Sequence, residues 1–113
     1  MKKRVVVTGL GIVSPLGLGV KANEEALFNG RTGVDLIKSF TPDEDFPVKI
    51  AGEVKGFDPK DFIDHKDIKK MDRFIHYAMA CSKMAIDESG LEINDTNAER
   101  VGVIVGVGLG GLP

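Results

Sequence analysis

The distribution of apolar and polar residues along the chain predicts two buried strands with a long helix between them. Residues 4–7 and residues 101–105 are β-branched and almost wholly apolar. Runs of this kind are typical of strands buried on both faces, as in a parallel sheet. Glycines follow both runs, at Gly9 and Gly11 and again from Gly106 onward. A buried parallel strand that ends in a glycine loop is where open α/β sheets place their sites.

The long helix is predicted between Asp72 as N-cap and Gly90 as C′ residue. Small and apolar residues recur there every three or four positions, at Ile75, Ala78, Met79, Ser82, Ala85 and Ile86. This spacing predicts one face that packs closely against a sheet or another helix. Two buried strands joined by a helix predict an α/β fold with a mostly parallel, buried sheet and a helical crossover. Such a crossover is expected to be right-handed.

Shorter elements are predicted in the first half of the chain. A helix at residues 20–29 is expected to pack through Ala22, Ala26, Leu27 and Phe28, with Gly30 as its C′ glycine. Residues 31–47 are interpreted as a surface loop and residues 48–54 as an edge strand. A helical turn is expected to begin at Asp58 and Pro59.

The composition is that of one small, soluble globular domain. The chain has 113 residues, of which 42% are apolar and 28% charged, and its net charge is −2. This balance predicts neither nucleic acid nor a membrane surface as a partner, and no apolar run approaches the roughly 20 residues that cross a bilayer. The single cysteine excludes an internal disulfide, which suits the cytoplasm.

Three residues with reactive side chains are interpreted as structural. Cys81 lies mid-helix among alanines, without the sharp turn and nearby histidine that would activate a thiol. His65 and His76 have no carboxylate or cysteine at zinc-ligand spacing, and His76 falls off the apolar face of the helix. The sequence therefore predicts no metal, no cofactor and no catalytic residue within this chain.

Two glycine patterns raise dinucleotide binding as an alternative. Gly106, Gly108 and Gly111 match G-x-G-x-x-G after a predicted strand, and Gly9, Gly11 and Ser14 almost match it, with serine in the place of the third glycine. The motif requires a following helix whose N-terminus receives the pyrophosphate and an acidic residue about 20 positions later. After the first pattern, Pro15 and Gly17 interrupt the helix start and Asp35 follows no second strand; soon after Gly111 the sequence ends. This alternative is therefore the weaker one.

Two further features suggest recognition. Leu109 is the bulky residue between Gly108 and Gly110, where it is either a loop residue over the core or a movable pocket wall. Lys66, Lys69, Lys70 and Arg73 would form one basic stripe if they were helical. A solvated face is the ordinary interpretation of such a stripe, but cations near a helix N-terminus oppose its dipole.

Three segments resemble the β-ketoacyl-acyl-carrier-protein synthases, most closely the elongating synthase II type of bacterial fatty-acid synthesis. They are Val-Val-Val-Thr-Gly-Leu-Gly-Ile-Val-Ser-Pro-Leu-Gly at residues 5–17, Lys-Lys-Met-Asp-Arg-Phe at residues 69–74 with the small-residue helix after it, and Gly-Val-Gly-Leu-Gly-Gly-Leu at residues 106–112. Their order and spacing agree over essentially the whole chain. The resemblance implies a thiolase fold of two related halves, and a homodimer.

The resemblance also implies an activity. Family members condense an acyl group, held on a cysteine, with malonyl-acyl-carrier protein, and two histidines stabilise the developing charge. That cysteine and both histidines would lie downstream of residue 113, so residues 1–113 are expected to be the N-terminal segment of the first thiolase-like half. By resemblance, Gly108 and Leu109 would line the acyl cavity, and Lys66, Lys69 and Lys70 would dock the acidic carrier protein. A non-catalytic, chain-length-factor-like relative remains the other alternative.

Overall fold

The computed structural model describes residues 2–111, and the chain divides into two compact units. The helical unit comprises the residues up to Gly11 together with those from Pro59 onward, and the ribbon unit comprises Ile12–Asp58. Each unit has a small buried centre: Ile63, His76 and Ala80 in the helical unit, and Asn23 and Ala26 in the ribbon unit. Each centre combines an alanine with a buried polar side chain, Ala80 with His76 and Ala26 with Asn23.

The ribbon unit contains two two-stranded antiparallel ribbons and one helix. Its elements, in order, are β1 (Val13–Ser14), β2 (Gly17–Leu18), α1 (Val20–Phe28), β3 (Val34–Leu36) and β4 (Ile50–Gly52). In the first ribbon Ser14 lies opposite Gly17, and in the second Asp35 lies opposite Ala51. Pro15 follows β1 directly, where its lack of an N–H group suits a turn.

Helix α1 forms close to the predicted bounds, and Gly30 has the predicted left-handed conformation, with φ of 64°. The predicted packing face is wrong in part, because Leu27 is 67% and Phe28 81% exposed. Asn23 is buried instead: it accepts a hydrogen bond from the Ser14 hydroxyl, and its Nδ2 donates to the carbonyl oxygens of Gly17 and Gly19, each at 2.8 Å. A polar side chain thus ties α1 to the first ribbon.

The interpretation of residues 31–47 as loop throughout is wrong, because the second ribbon takes one of its strands from them. The predicted edge strand is confirmed as β4, but its partner β3 lies inside the predicted loop. Strand β3 has only three residues, a charged one between two apolar ones, which is too short a pattern to predict a strand. It is a strand because its backbone pairs with that of β4. The Ile37 N–H extends the ribbon by donating to the Lys49 carbonyl at 3.0 Å.

The helical unit is dominated by one long helix. Its elements are a 3₁₀ turn (Pro59–Asp61), α2 (His65–Ile68), α3 (Arg73–Ser89) and a second 3₁₀ turn (Ala98–Arg100). Asp72 occupies the predicted N-cap position of α3 with extended backbone, but its side chain makes no capping hydrogen bond. The predicted C-terminal glycine is confirmed, since Gly90 has φ of 64° and ψ of 20°. The helical turn expected at Asp58 and Pro59 is confirmed as the first 3₁₀ turn.

Two glycines bring an extended segment directly onto the backbone of α3. A Cβ atom on Gly9 would collide with the Ala85 carbonyl oxygen, and one on Gly11 would collide with that of Cys81. Between them, the Leu10 N–H donates to the Glu88 carboxylate. The small residues of α3 therefore serve a close approach, as predicted, although the partner is an extended segment of the chain.

The two runs predicted as buried strands are not hydrogen-bonded strands in the described part of the chain. Val5 is 94% and Ile104 98% exposed, so the predicted burial is wrong for the chain as it stands. A strand has no internal hydrogen bonds, and these runs have no neighbouring strand among residues 2–111. Both sheets in that range are antiparallel, so the parallel sheet stays a prediction. No helix in that range has the length and apolar character that a membrane crossing needs.

Candidate functional site

An apolar groove of about 780 Å³ runs along α3 within the helical unit. One wall is the predicted face of α3, and the other is the extended segment that carries residues 103–108. The lining is mostly apolar, with Ser82, Lys83 and Asp87 as its polar members; the others are Phe62, Phe74, Ile75, Ala78, Met79, Ile86, Val103, Val105, Gly106, Val107 and Gly108. The groove suits an apolar occupant, either a ligand or further polypeptide.

The helix face that lines this groove is open to solvent. Met79 is 44% and Ile86 39% exposed, although both lie at the spacing that predicted a packed face. The most buried residues of α3, His76 and Ala80, lie off that face. The sequence therefore identified which side chains share a face of α3, and the structure shows that this face lines a groove.

Gly108 and Leu109, the predicted acyl-pocket residues, differ in their surroundings. Gly108 lines the groove, whereas Leu109 lies outside the lining and is 82% exposed. The next residue, Gly110, has φ of 72°, and a Cβ atom added to it would lie 3.5 Å from Cζ of the Phe74 ring. The backbone after Leu109 therefore approaches the start of α3. A pocket role for Leu109 stays a prediction.

The four basic residues do not lie on one helix, so the condition for a single basic stripe is not met. Lys66 belongs to α2, Lys69 and Lys70 lie in the turn after it, and Arg73 begins α3. Asp72 interrupts the helical path, because its φ of −73° and ψ of 160° are extended. Lys66, Lys69 and Lys70 are all exposed and together form what we call the basic corner.

The charges of the basic corner have different partners. The Lys70 ammonium lies 2.7 Å from Oδ1 of Asp67, whereas Lys66 and Lys69 have no carboxylate within ion-pair distance among residues 2–111. Arg73 lies over the ring of Tyr77, with 5.8 Å from Cζ to the ring centroid. Within the described range, two ammonium groups without an acidic partner and one paired with a neighbouring acid therefore face solvent at this corner.

His76 is the residue of this region whose role the sequence did not indicate. It is buried, with 9% exposure, and its Nε2 lies 3.0 Å from the carbonyl oxygen of Ile68, the last residue of α2. Since a carbonyl only accepts, Nε2 carries the proton. The feature of the sequence that could have indicated this role is a histidine four residues after the N-cap position, from which the ring can reach back to the preceding turn.

The structural interpretation of Cys81 and His65 stays a prediction. Cys81 is half-buried, and its backbone carbonyl lies under Gly11, while His65 is exposed on α2. Within residues 2–111 no group of three His, Cys, Asp or Glu side chains is placed to hold a metal ion. The residues after Gly9 and Gly11 form the β1–β2 turn, which is not the helix start that a bound pyrophosphate requires.

Two carboxyl groups with shifted pKa values lie in the ribbon unit. A hydrogen bond from the Lys38 ammonium to Asp35 lowers the pKa of that carboxyl below its ordinary value. The pKa of Glu53 is lowered by hydrogen bonds from Ser39 and from the Lys38 N–H, the backbone donors lying at 3.0 and 2.8 Å. Both residues are half-buried, and Glu53 closes the loop that follows β3.

Comparison with a solved structure defines the class of protein first. The structure described as the ishigamide ketosynthase/chain length factor matches with a TM-score of 0.69 and 38% identity, over 77% of this chain and 21% of that one. The fold is therefore that of part of a ketosynthase, which is thiolase-like.

The sequence comparisons then define the family. Residues 2–112 match the model described as "Beta-ketoacyl synthase, N-terminal domain", and the chain belongs to this family. Relatives named 3-oxoacyl-[acyl-carrier-protein] synthase 2 are 51% identical in Coxiella burnetii and 46% in Vibrio cholerae, over 99% and 98% of this chain. A relative of the same name in Synechocystis is 45% identical over 98%. The resemblance noted in the sequence is confirmed, and the chain spans 26–27% of these relatives.

Proposed function

We propose that this chain is the N-terminal part of a condensing enzyme that elongates acyl chains in fatty-acid biosynthesis. The observation that carries the proposal is the 42–51% identity, over at least 97% of the chain, to relatives named as 3-oxoacyl-[acyl-carrier-protein] synthase 2. The substrates are acyl and malonyl thioesters of an acyl carrier protein, and the enzyme is a cytoplasmic homodimer. No metal or cofactor takes part.

The proposed reaction is a decarboxylative Claisen condensation. A cysteine thiolate outside this chain attacks the acyl thioester, and the carrier thiol leaves. Malonyl-carrier protein then loses carbon dioxide, and the resulting enolate attacks the cysteine-bound acyl carbonyl. A carbon–carbon bond forms, the carbon–sulfur bond to the cysteine breaks, and the cysteine thiolate leaves as β-ketoacyl-carrier protein is released. Two histidines, also outside this chain, stabilise the enolate and the oxyanion. Residues 1–113 alone therefore form no acyl-enzyme.

The present chain contributes scaffold, part of a pocket wall and a docking surface to this enzyme. Residues 4–7 and 101–105 are proposed to pair in a mostly parallel sheet completed by the rest of the first thiolase-like half. Most valine and isoleucine side chains of both runs are exposed, which supports this proposal, because a contiguous group of exposed apolar side chains marks an interface. Gly108 and Leu109 then follow the end of a buried strand, and Leu109 lines the acyl cavity.

The basic corner is proposed to dock the acidic carrier protein. Lys66, Lys69 and Lys70 are exposed, so each ion pair with the carrier protein contributes only about 0–1 kcal/mol to binding. Together the three ammonium groups attract the acidic carrier protein electrostatically toward this corner as it approaches. Changing all three to Glu in the full-length enzyme is expected to raise KM for acyl-carrier protein roughly tenfold or more at low salt. Turnover of acyl-coenzyme A or acyl-pantetheine should remain near the wild-type value.

A matched control changes the same total charge at other lysines. Lys2, Lys3 and Lys21 are exposed and lie outside the basic corner, so their change to Glu should leave KM for the carrier protein near that of the wild type. Wild-type activity should also fall more steeply with ionic strength than that of the corner variant. Equal KM values for the two triple variants would contradict docking at this corner.

A second candidate is a non-catalytic partner subunit, because the structural neighbour described above is named for both a ketosynthase and a chain length factor. The two candidates differ in the downstream nucleophile. Incubating the full-length protein with acyl-carrier protein and weighing it separates them: one acyl group on a cysteine outside residues 1–113 supports the enzyme. Absence of any acyl adduct, under conditions in which a known synthase is acylated, supports the partner subunit.

A further inference from the structure

The basic corner owes its shape to a turn rather than to one helix. Lys66 lies on α2, and Lys69 and Lys70 lie in the turn that ends at Asp72, the residue before α3. On a single helix the spacing of the three ammonium groups would follow from the helix itself. Here their relative directions depend on whatever holds the end of α2 against α3.

The carbonyl group of Ile68 is the point at which this turn is held. It accepts a hydrogen bond from the Met71 N–H at 3.3 Å, which closes the turn, and it lies 3.0 Å from Nε2 of His76. His76 is buried on the first turns of α3, whose N-cap carbonyl, that of Asp72, accepts the His76 N–H at 3.3 Å. The imidazole thus joins the start of α3 to the residue immediately before Lys69.

We infer that His76 is a positioning residue for carrier-protein docking, acting through the Ile68 carbonyl on the directions of Lys69 and Lys70. The inference rests on the proposed function, and it adds a residue that touches neither the carrier protein nor the reacting atoms. A turn held before binding loses less conformational freedom when the partner arrives, which favours affinity. The ion pair between Asp67 and Lys70, at 2.7 Å, holds the same turn from its outer side.

The test replaces His76 in the full-length enzyme with residues that keep or remove its donor. His76→Leu fills similar space without a donor, and the loss of one hydrogen bond is expected to raise KM for acyl-carrier protein roughly three- to tenfold. His76→Gln presents an amide N–H to the Ile68 carbonyl and should restore most of the wild-type KM. For both variants kcat and KM with acyl-pantetheine should match the wild-type values, which a general loss of folding would not allow.

Coupling to the lysines provides the decisive comparison. In an enzyme that already carries Lys66→Glu, Lys69→Glu and Lys70→Glu, His76→Leu should change KM for the carrier protein no further, because residues that act through one another are not additive. An equal increase in both backgrounds would overturn the inference. So would parallel losses with acyl-pantetheine in the soluble, folded variant.

Two outcomes separate this inference from the function on which it rests. A wild-type full-length enzyme without carrier-dependent condensation would contradict the proposed function and the inference together. An active enzyme in which His76→Leu leaves KM unchanged would contradict the inference alone. His76→Asn keeps an amide but shortens its reach, so it carries the same expectation as His76→Leu if the latter is not recovered folded.

Discussion

Helix α3 and the apolar run at residues 101–105 satisfy their backbone groups in different ways. The helix bonds its own amides, contains the fully buried Ala80, and has an extended segment seated on it at Gly9 and Gly11. The apolar run has no strand beside it among residues 2–111, and its Ile104 is 98% exposed. A helix needs packing on one face to persist, whereas a strand also needs a neighbour for every backbone hydrogen bond.

The second ribbon lies between these two cases. Strands β3 and β4 are joined by residues 37–49 and pair with one another, so their hydrogen bonds are completed within the ribbon unit. Glu53 then receives the N–H groups of Lys38 and Ser39 and closes the loop. Apolar character alone therefore does not decide which extended segments are paired: residues 34–36 have a strand beside them, and the more apolar run at residues 101–105 has none among residues 2–111.

The largest expected effect comes from a substitution that disrupts the contact between α3 and the extended segment at Gly9 and Gly11. Gly11→Ala places a methyl group against the Cys81 carbonyl oxygen, and overpacking of this kind costs on the order of 1–3 kcal/mol. Gly102→Ala is the matched control in the apolar run, because nothing lies within 4 Å of its added Cβ atom. Denaturant unfolding should show a lower midpoint for Gly11→Ala alone. Equal midpoints would mean that the segment is not seated on α3.

A smaller effect tests the apolar run and the glycine loop that follows it. Leu109 is 82% exposed in this chain, so Leu109→Phe should leave the stability of the chain unchanged. In the full-length enzyme the larger ring should narrow the acyl cavity and lower kcat/KM for long acyl primers by about tenfold relative to short ones. A uniform fall for short and long primers would exclude a chain-length role.

The smallest effect concerns the loop of the second ribbon. Because the folded state lowers the pKa of Glu53 below its ordinary value of 4.5, its contribution to stability is present above that pH and is lost as pH falls through the folded pKa. Protection of the Lys38 and Ser39 amides from exchange should therefore decline in acid. Glu53→Gln should remove this pH dependence, and its persistence in that variant would point to Asp35 instead.

The sequence predicted α3 closely because the residues at the ends of a helix and the repeating pattern of its packing face all lie within the helical segment. Asp72, Gly90 and the small residues opposite Gly9 and Gly11 all act within this one element and its immediate contact. The two apolar runs were recognised as strand formers, but pairing depends on a neighbour, which a single run cannot specify.

The candidate site was predictable to a similar extent. The groove wall followed from the spacing of Ile75, Ala78 and Met79, which line it together. The basic corner did not, because the extended backbone at Asp72 separates lysines that would otherwise share a helix. The burial of His76 and Asn23 was also missed, since each is a polar side chain whose partners are backbone carbonyls.

Amide hydrogen exchange at residues 101–105 tests the central claim most directly. It should be measured in the 113-residue chain and in the full-length enzyme, with the α3 amides as an internal reference. We predict fast exchange of the run in the chain and exchange slower by about a hundredfold or more in the full-length enzyme, where a neighbouring strand completes its hydrogen bonds. Equally fast exchange in both proteins, with α3 protected in each, would contradict the proposal that this run is a buried strand of a larger condensing enzyme.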